Sequence, residues 1–581
     1  MGRSKRVLLA TAKSRLSALA SWSPDPQFCG FLGIGAVLVY LVVPPLCLLI
    51  MTSFEPGYFD EGGLTLDHYR DVLKTGASLP LLRNTLIFSA GSSLLGLILG
   101  MPLAWIVERT NTPFRGLVYI AAWVSFATPL VAKGIAWIML LGPEAGIINQ
   151  SLMHLFQLEA APFNVFSMSG MIFVEGIMWA PLVFLLMAAP LRSMDPALEE
   201  ASTLSGAGPL TTAYRITMKL ALPSIFSVLL LAFVRSLEAF EVPALIGLPA
   251  KVLLPITKIY IVLTTASTPD YGAASAYAVI LLLLVGAALY LYARATRLAH
   301  KFTTITGKGF RPRVLDIGRW RYVALIYIAI LPTLIVLPLV VLMWASFLPF
   351  FMQPSWKALA RLTLSNYSNV FTTTAAFASV KNSVVVSMIA ATLAVLLTVI
   401  VVWLIVRTKI RGRRVLDGLV SFPLIFPGLV LGLAMLRTSF VMPLPIYGTI
   451  WIIIIAYIVR YLPYAIRFSY PSILQIHVEL EESARICGAG WPNIMRRILV
   501  PLMIPPLLAA WIWIFLQSIK ELSTAVLLAG PRTKLVSVVI FDLWQNAQLV
   551  ELSAFVSAFS VVLIVISFLV QKFTARFEMH V

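Results

Sequence analysis

Glu199-Glu200-Ala201-Ser202-Thr203-Leu204-Ser205-Gly206-Ala207-Gly208 and Glu481-Glu482-Ser483-Ala484-Arg485-Ile486-Cys487-Gly488-Ala489-Gly490 are one loop written twice, 282 residues apart. Each opens on two acids, passes through small residues, turns at a glycine and lies between long apolar stretches. Acids in a first turn favour a helix N-terminus, so a single copy reads as a solvated loop helix. Two copies at matched places read as two docking points for two copies of one soluble partner.

The repeat extends outward from these loops, and subtraction fixes its register. Leu64-Thr65-Leu66-Asp67-His68-Tyr69 aligns with Leu362-Thr363-Leu364-Ser365-Asn366-Tyr367 at an offset of 298. Asn84 with Asn382, Arg109-Thr110 with Arg407-Thr408, Arg115 with Arg413 and Pro129 with Pro427 share that offset. From Pro181 and Pro463 onward the offset is 282, which leaves about 16 extra residues in the first half, expected in the loop near 142–169.

Of 581 residues, 60% are hydrophobic and 12% charged, which excludes a water-soluble globule. Twelve apolar stretches approach the roughly 20 residues that cross a bilayer core. They run near 28–52, 86–107, 117–141, 170–190, 223–247, 273–293, 322–347, 383–406, 415–436, 447–468, 505–529 and 552–571. They are too long for barrel strands, and the fold class expected is an all-α polytopic membrane protein. The net charge of +19 sits in alternate loops, which points to membrane topology rather than nucleic acid. Arg3, Lys5, Arg6, Lys13 and Arg15 precede the first span, Arg109 and Arg115 follow the second, and Arg407, Lys409, Arg411, Arg413 and Arg414 follow the eighth. These loops and both termini are expected on the cytoplasmic side, opposite the acids Glu55, Asp60, Glu61, Asp67 and Asp71. The first apolar run is too long for a cleaved signal and reads as a retained span. Cys29, Cys47 and Cys487 have no paired spacing, so neither a disulfide framework nor a zinc site is expected.

The organisation that follows is a cytoplasmic segment at 1–27, a first membrane repeat at 28–293, a basic cytoplasmic linker at 294–321, a second repeat at 322–571 and a cytoplasmic tail at 572–581. Both halves begin on the same side, so they are parallel copies related by a pseudo-twofold axis along the membrane normal, with the pore between them.

In the second copy of the loop, Gly488 is followed by Ile498 and Pro501. This resembles the cytoplasmic loop of ATP-binding-cassette import permeases, which carries Glu-Ala-Ala, a glycine and a distal Ile-x-Leu-Pro. The first copy keeps Glu200, Ala201, Gly206 and Ile216 but has Lys219 in place of Pro501. Ser518-Ile519-Lys520-Glu521-Leu522-Ser523-Thr524, with Ser236-Leu237-Glu238-Ala239-Phe240-Glu241-Val242-Pro243 as its first-half counterpart, looks like a stretch of fused ferric-iron permeases. The resemblance implies two tandem six-helix type I importer repeats in a bacterial inner membrane. It implies two copies of a separate ATPase on the loops carrying Glu199, Glu200, Ala201, Gly206, Glu481, Glu482, Gly488, Ile498 and Pro501. It also implies an extracytoplasmic binding protein, alternating access and ferric iron as leading cargo; thiamine, polyamine or aminoethylphosphonate permeases share the plan. ATP and magnesium would belong to the partner, since this chain has no G-x-x-x-x-G-K-[ST] loop; no cofactor and no nucleic acid are expected, only membrane lipid around it.

Charges inside spans are costly and raise functional hypotheses. Glu238, Glu241, Lys520 and Glu521 fall 15 to 18 residues past Pro223 and Pro505, roughly 22 to 27 Å along a helix axis and at equivalent depth on the fifth span of each half. They are the candidate pathway residues; the other reading is that Arg235 and a neighbouring helix neutralise them as structural pairs. Lys133, Glu175, Arg437 and Arg460 are further intramembrane charges, and Pro129, Pro427 and Gly428 break the third and ninth spans. No metal ligand set is assigned. A gradient-driven secondary transporter also accommodates twelve spans and a parallel repeat, and a membrane scaffold is the third reading.

Overall fold

Apolar runs in lipid must satisfy their own peptide groups, and the chain answers with helix after helix; the described residues hold one isolated bridge and no longer strand. The computed structural model describes residues 26–56, 63–74, 78–265, 267–299, 315–372, 374–410, 412–442 and 445–578. The basic N-terminal residues, Asp60, Glu61 and the linker cations Lys301, Lys308, Arg311 and Arg313 lie outside them.

The first half comprises α1 (Pro26–Thr52), α2 (Ser78–Arg109), α3 (Arg115–Ala127), α4 (Leu130–Leu141), α5 (Met168–Ser193), α6 (Ala197–Leu204), α7 (Met218–Leu237) and α8 (Tyr271–Ala299). The second repeats the order with α9 (Trp320–Ser346), α10 (Thr374–Arg407), α11 (Arg413–Ser421), α12 (Gly428–Val441), α13 (Ile450–Gln475), α14 (Glu479–Ile486), α15 (Val500–Ser518) and α16 (Leu549–Glu578). Among the described residues, ten helices are long and apolar enough to cross a membrane, or up to twelve if each of two bent pairs is one span.

Those pairs carry the breaks expected at Pro129 and Pro427 within the stretches 117–141 and 415–436. α3 meets α4 at 107° and the segment Arg413–Ile425 meets α12 at 110°. Thr128 and Phe426 precede prolines and are extended there, because a proline ring crowds the helical conformation of the residue before it and supplies no N–H. A correction concerns the fifth spans. Their helices stop at Leu237 and Ser518, well short of 247 and 529, and carboxylates bond backbone amides in the segments just beyond. Thr524 N donates to Glu521 Oε1 at 3.1 Å and Phe240 N to Glu241 Oε2 at 3.4 Å.

Each half's first span leans on the other half. α9 packs on α3 and α4, and Ala324, Ile328, Leu331 and Ile335 join the first half's cluster around Leu103 and Phe184. α1 packs on α12, and Leu38 joins the second half's cluster around Val402 and Leu416. Arg437 on α12 closes this embrace, reaching Thr52 at the end of α1 at 3.1 Å and Glu55 just beyond it at 2.6 Å. Within the first half, Gly96 and Gly100 let α2 approach α5 closely. A Cβ on Gly100 would stand 2.5 Å from the Ala180 carbonyl oxygen, the close approach that a G-x-x-x-G spacing permits.

The extra residues of the first half form the helix Ile147–Phe156 in the expected loop. Asn149 pins it, donating to the carbonyls of Leu141, Gly142 and Phe163. At the far end of the linker, Leu315 N donates to Arg109 O at 2.8 Å and Asn111 N to Leu315 O at 3.1 Å. Asp316 accepts from Gly318 N and Asn111 Nδ2, and these donors hold its carboxyl below the usual range.

Candidate functional site

The two acidic loops fold into α6 and α14, short helices whose first turns carry the acids, as the N-terminal positive end of a helix favours. Both end on a glycine in the left-handed region, Gly206 at φ 84° and Gly488 at φ 82°. Around them, Ala207 N reaches back to Ser202 O at 3.1 Å and Ala489 N to Ala484 O at 2.9 Å, the capping pattern that suits glycine. The two acids of each pair face different ways. Glu199 is 1% exposed and pairs with Arg109, itself fully buried at the end of α2. Glu481 is buried and pairs with Arg407 at 2.9 Å at the end of α10. The same arginines donate to carbonyls at repeat-equivalent places: Arg109 to Leu191 and Met194, Arg407 to Ile473 and Ile476. One arginine therefore ties the end of its own helix, the end of the fourth span and the loop helix together. Glu482 stays exposed and Glu200 half-buried.

Ala201 is exposed on α6. The last helical residues, Leu204 and Ile486, are 90% and 87% exposed, an apolar pair presented at equivalent places. Beyond each glycine the chain enters a wide helical turn, Ala213–Thr217 and Met495–Leu499, before continuing as α7 and α15. Ile498 sits in that turn against the second half's core, and Pro501 is the second residue of α15. Lys219 stands at the matching place in the first half, and the backbone there is the same, so the proline does not make the turn.

The candidate pathway residues converge where the fifth helices end. Glu241 and Ser523 are repeat equivalents, and Ser523 Oγ donates to Glu241 Oε1 at 3.1 Å. Equivalent residues can touch only where the pseudo-twofold axis passes between them, so this contact marks the axis. Around it every charge is engaged. Glu238 pairs with Arg235 at 2.9 Å, and Glu521 with Arg460 at 3.6 Å. Tyr461 and Thr524 hydroxyls donate to Glu521 at 3.2 and 3.1 Å. Lys520 Nζ donates to Phe126 O at 2.5 Å, and Lys133 Nζ to Ser125 O at 3.1 Å. Those two carbonyls belong to the last turn of α3, where no following amide donates to them and the helix end is negative. Lys133 is thus buried at a broken helix end rather than reaching for an interface. Glu175 lies within electrostatic range of Lys133 and Glu241. Among the described residues, no three of the His, Cys, Asp and Glu side chains come together as a metal cradle.

The matching family model is the binding-protein-dependent transport system inner membrane component, and it matches twice, at residues 93–297 and 406–580. The chain belongs to this family. Its double match is the duplication described above, and the protein is a multi-pass membrane subunit of the ATP-binding-cassette permease class, with the type I fold. This inner membrane component is 24% identical over 566 residues to the ferric transport system permease protein FbpB of Actinobacillus pleuropneumoniae, covering 94% of this chain and 79% of that protein. It is 23% identical over 504 residues to a putative FbpB of Haemophilus influenzae, with 86% and 77% covered. A putative 2-aminoethylphosphonate permease, PhnU of Salmonella typhimurium, is 29% identical over 227 residues, covering 38% of this chain and 76% of that protein. Among solved structures, a bacterial alginate importer matches with a TM-score of 0.39 and 19% identity over 52% of this chain and all of the matched chain.

Sequence reading missed the partners of the elbow acids and the aromatic wall beside the axis. Trp513 lies 4.7 Å from the ring of Tyr464, over which Arg235 sits at 5.7 Å. The signal for the first was present: Arg109 and Arg407 recur at the repeat offset. For the second, only the three- and four-residue spacing of Tyr457, Tyr461, Tyr464 and Phe468 along one helix hinted at a shared face.

Proposed function

We propose that this chain is the translocation subunit of an importer driven by two copies of a separate ATPase, one seated on α6 and one on α14. Leu204 and Ile486, with the acids Glu200 and Glu482, offer an apolar knob and a charged rim at each seat. The buried arginine pairs make each seat rigid, so a push on α6 or α14 moves whole halves rather than bending a loop. Both seats and both termini are then cytoplasmic, and cargo arrives from a binding protein on the opposite face. There, Asp71, Asn84, Lys251, Lys258 and Asp270 line a polar cavity of about 590 Å³. The contact of Glu241 with Ser523 closes the route at the axis, and alternating access requires that it open. Ferric iron is the leading cargo, since the relatives that match across most of this chain are named ferric transport permeases. The repeated Arg–Glu anchor under two identical knobs is the observation that carries this reading.

The test is reconstitution in proteoliposomes with the cognate ATPase and binding protein. ATP-dependent accumulation of radiolabelled ferric iron is expected. Uptake driven by an ion gradient with no ATPase present refutes the class. ATP-dependent uptake of 2-aminoethylphosphonate with none of iron refutes the cargo alone.

A further inference from the structure

The two halves differ where the loop helices rejoin the membrane. In the second half, Trp491 packs edge-on against Trp403 at 5.3 Å, and the Trp403 indole N–H donates to Glu481 at 3.4 Å. The first half has Trp105 in place of Trp403, but Pro209 in place of Trp491. The first spans differ likewise. Ser53 with Tyr69 and Ser346 with Tyr367 make the same hydrogen bond in each half, which sets the register of α1 on α9 at 293 residues. On that register Phe31 corresponds to Ala324. At two places, then, a large aromatic side chain beside the second half's cluster has a smaller counterpart beside the first half's.

The result is an apolar groove of about 400 Å³ in the first half, between the end of α2, the start of α9 and the Leu210–Met218 stretch. Its size falls within the range of small-ligand sites. Trp105, Tyr214, Trp320 and Tyr327 line it, and the Trp105 indole N–H is buried with no acceptor. Such a donor in an apolar setting calls for a hydrogen-bond partner. Arg215, Lys219, Arg319 and Arg321, all exposed, are sequence neighbours of the lining residues at this end. Aromatic side chains beside cations mark the level of lipid headgroups.

We propose that this groove holds one anionic phospholipid. Its acyl chain lies along Trp105 and Tyr327, an ester carbonyl accepts from the Trp105 indole, and its phosphate sits among the four cations. In the second half Trp491 and Phe31 stand at the matching places, Trp491 against Trp403 and Phe31 against the second half's cluster. The choice of a lipid over a peptide segment rests on the groove's place at the end of membrane helices and on the cationic rim.

The test uses the full chain, titrated in detergent with phosphatidylglycerol or phosphatidylcholine and read by native mass spectrometry. One phosphatidylglycerol is expected to bind at least tenfold tighter than phosphatidylcholine. Pro209→Trp, which reinstates the second half's side chain, is expected to abolish that binding. Arg319→Gln with Arg321→Gln is expected to erase the preference between the two lipids. Should Pro209→Trp fail to fold, Ala213→Phe fills the groove from another wall. Phosphatidylglycerol with brominated chains is expected to quench the fluorescence of the wild type more than that of Trp105→Phe. Equal binding of both lipids, unchanged binding by the filled variants, or equal quenching overturns the proposal.

Discussion

Removing Arg109 isolates the mechanical role of the buried pair. Arg109→Met leaves Glu199, 1% exposed, without its cation, and leaves the carbonyls of Leu191 and Met194 without a donor. Breaking a buried ion pair by deleting one member costs about 3–5 kcal/mol. If that cost falls on α6, the constant for opening the loop helix rises by ~10²- to ~4,000-fold, at about 1.4 kcal/mol for each factor of ten. Hydrogen exchange of the purified chain in nanodiscs reads this directly. Peptides spanning 195–208 are expected to lose two or more decades of protection, while those spanning 477–490, held by Arg407, keep theirs. Arg109→Met with Glu199→Leu replaces the pair by apolar groups and is expected to recover protection to within about tenfold, since apolar replacements of buried pairs are often neutral. Wild-type exchange over 195–208 in Arg109→Met refutes the reasoning. So does equal loosening of 477–490, which would make the effect global.

Gly206→Ala forces a side chain into the left-handed region; nothing crowds its Cβ, so the cost is backbone alone, about 1–2 kcal/mol. Exchange over 197–208 is expected to rise by roughly one decade, and Gly488→Ala is expected to do the same over 479–490. Gly100→Val drives a branched side chain into the Ala180 carbonyl and is expected to cost about 1–3 kcal/mol, seen as a lower thermal midpoint of the whole chain. Ser523→Ala removes the donor that meets Glu241 on the axis, and an ATP-independent leak of small solutes from proteoliposomes is expected to rise, with Ser523→Thr restoring the seal. Asp316 has its folded pKa depressed by the Gly318 and Asn111 donors, so its tie is fully present above the unfolded carboxylate value and is lost as pH falls through the lower folded one. Pepsin cleavage near Leu315 is expected to accelerate only below the ordinary carboxylate range, and Asp316→Ala is expected to remove that dependence.

Much of this architecture is legible in the residues because duplication writes its own alignment. Arg109 and Arg407, Asn84 and Asn382, Gly206 and Gly488 do the same work in both halves. Asn84 reaches the carbonyl of Leu253 at 3.2 Å, and Asn382 those of Arg532 and Lys534, both at 3.2 Å. The breaks at Pro129 and Pro427 are legible because proline acts locally. The ends of α7 and α15 are not, since the apolar runs continue and hydropathy does not register a carboxylate capturing an amide. The orientation of the acid pairs is hidden for a related reason. Arg109 and Arg407 count toward topology as loop cations, and a charge count cannot separate a solvated arginine from one buried against Glu199 or Glu481. The embrace of each half by the other's first span leaves no charge signature, because apolar side chains pack against either neighbour equally well in composition.

The account stands on force entering through two matched loop helices. The direct measurement is cysteine cross-linking at Leu204→Cys and Ile486→Cys, each in a chain whose native cysteines are replaced, in membranes carrying the cognate ATPase. Each position is expected to join a separate ATPase subunit, to resist labelling by a membrane-impermeant thiol reagent added from outside, and to lose ATP-driven uptake once joined. Labelling of either cysteine from outside, or full uptake with both positions locked, contradicts the account.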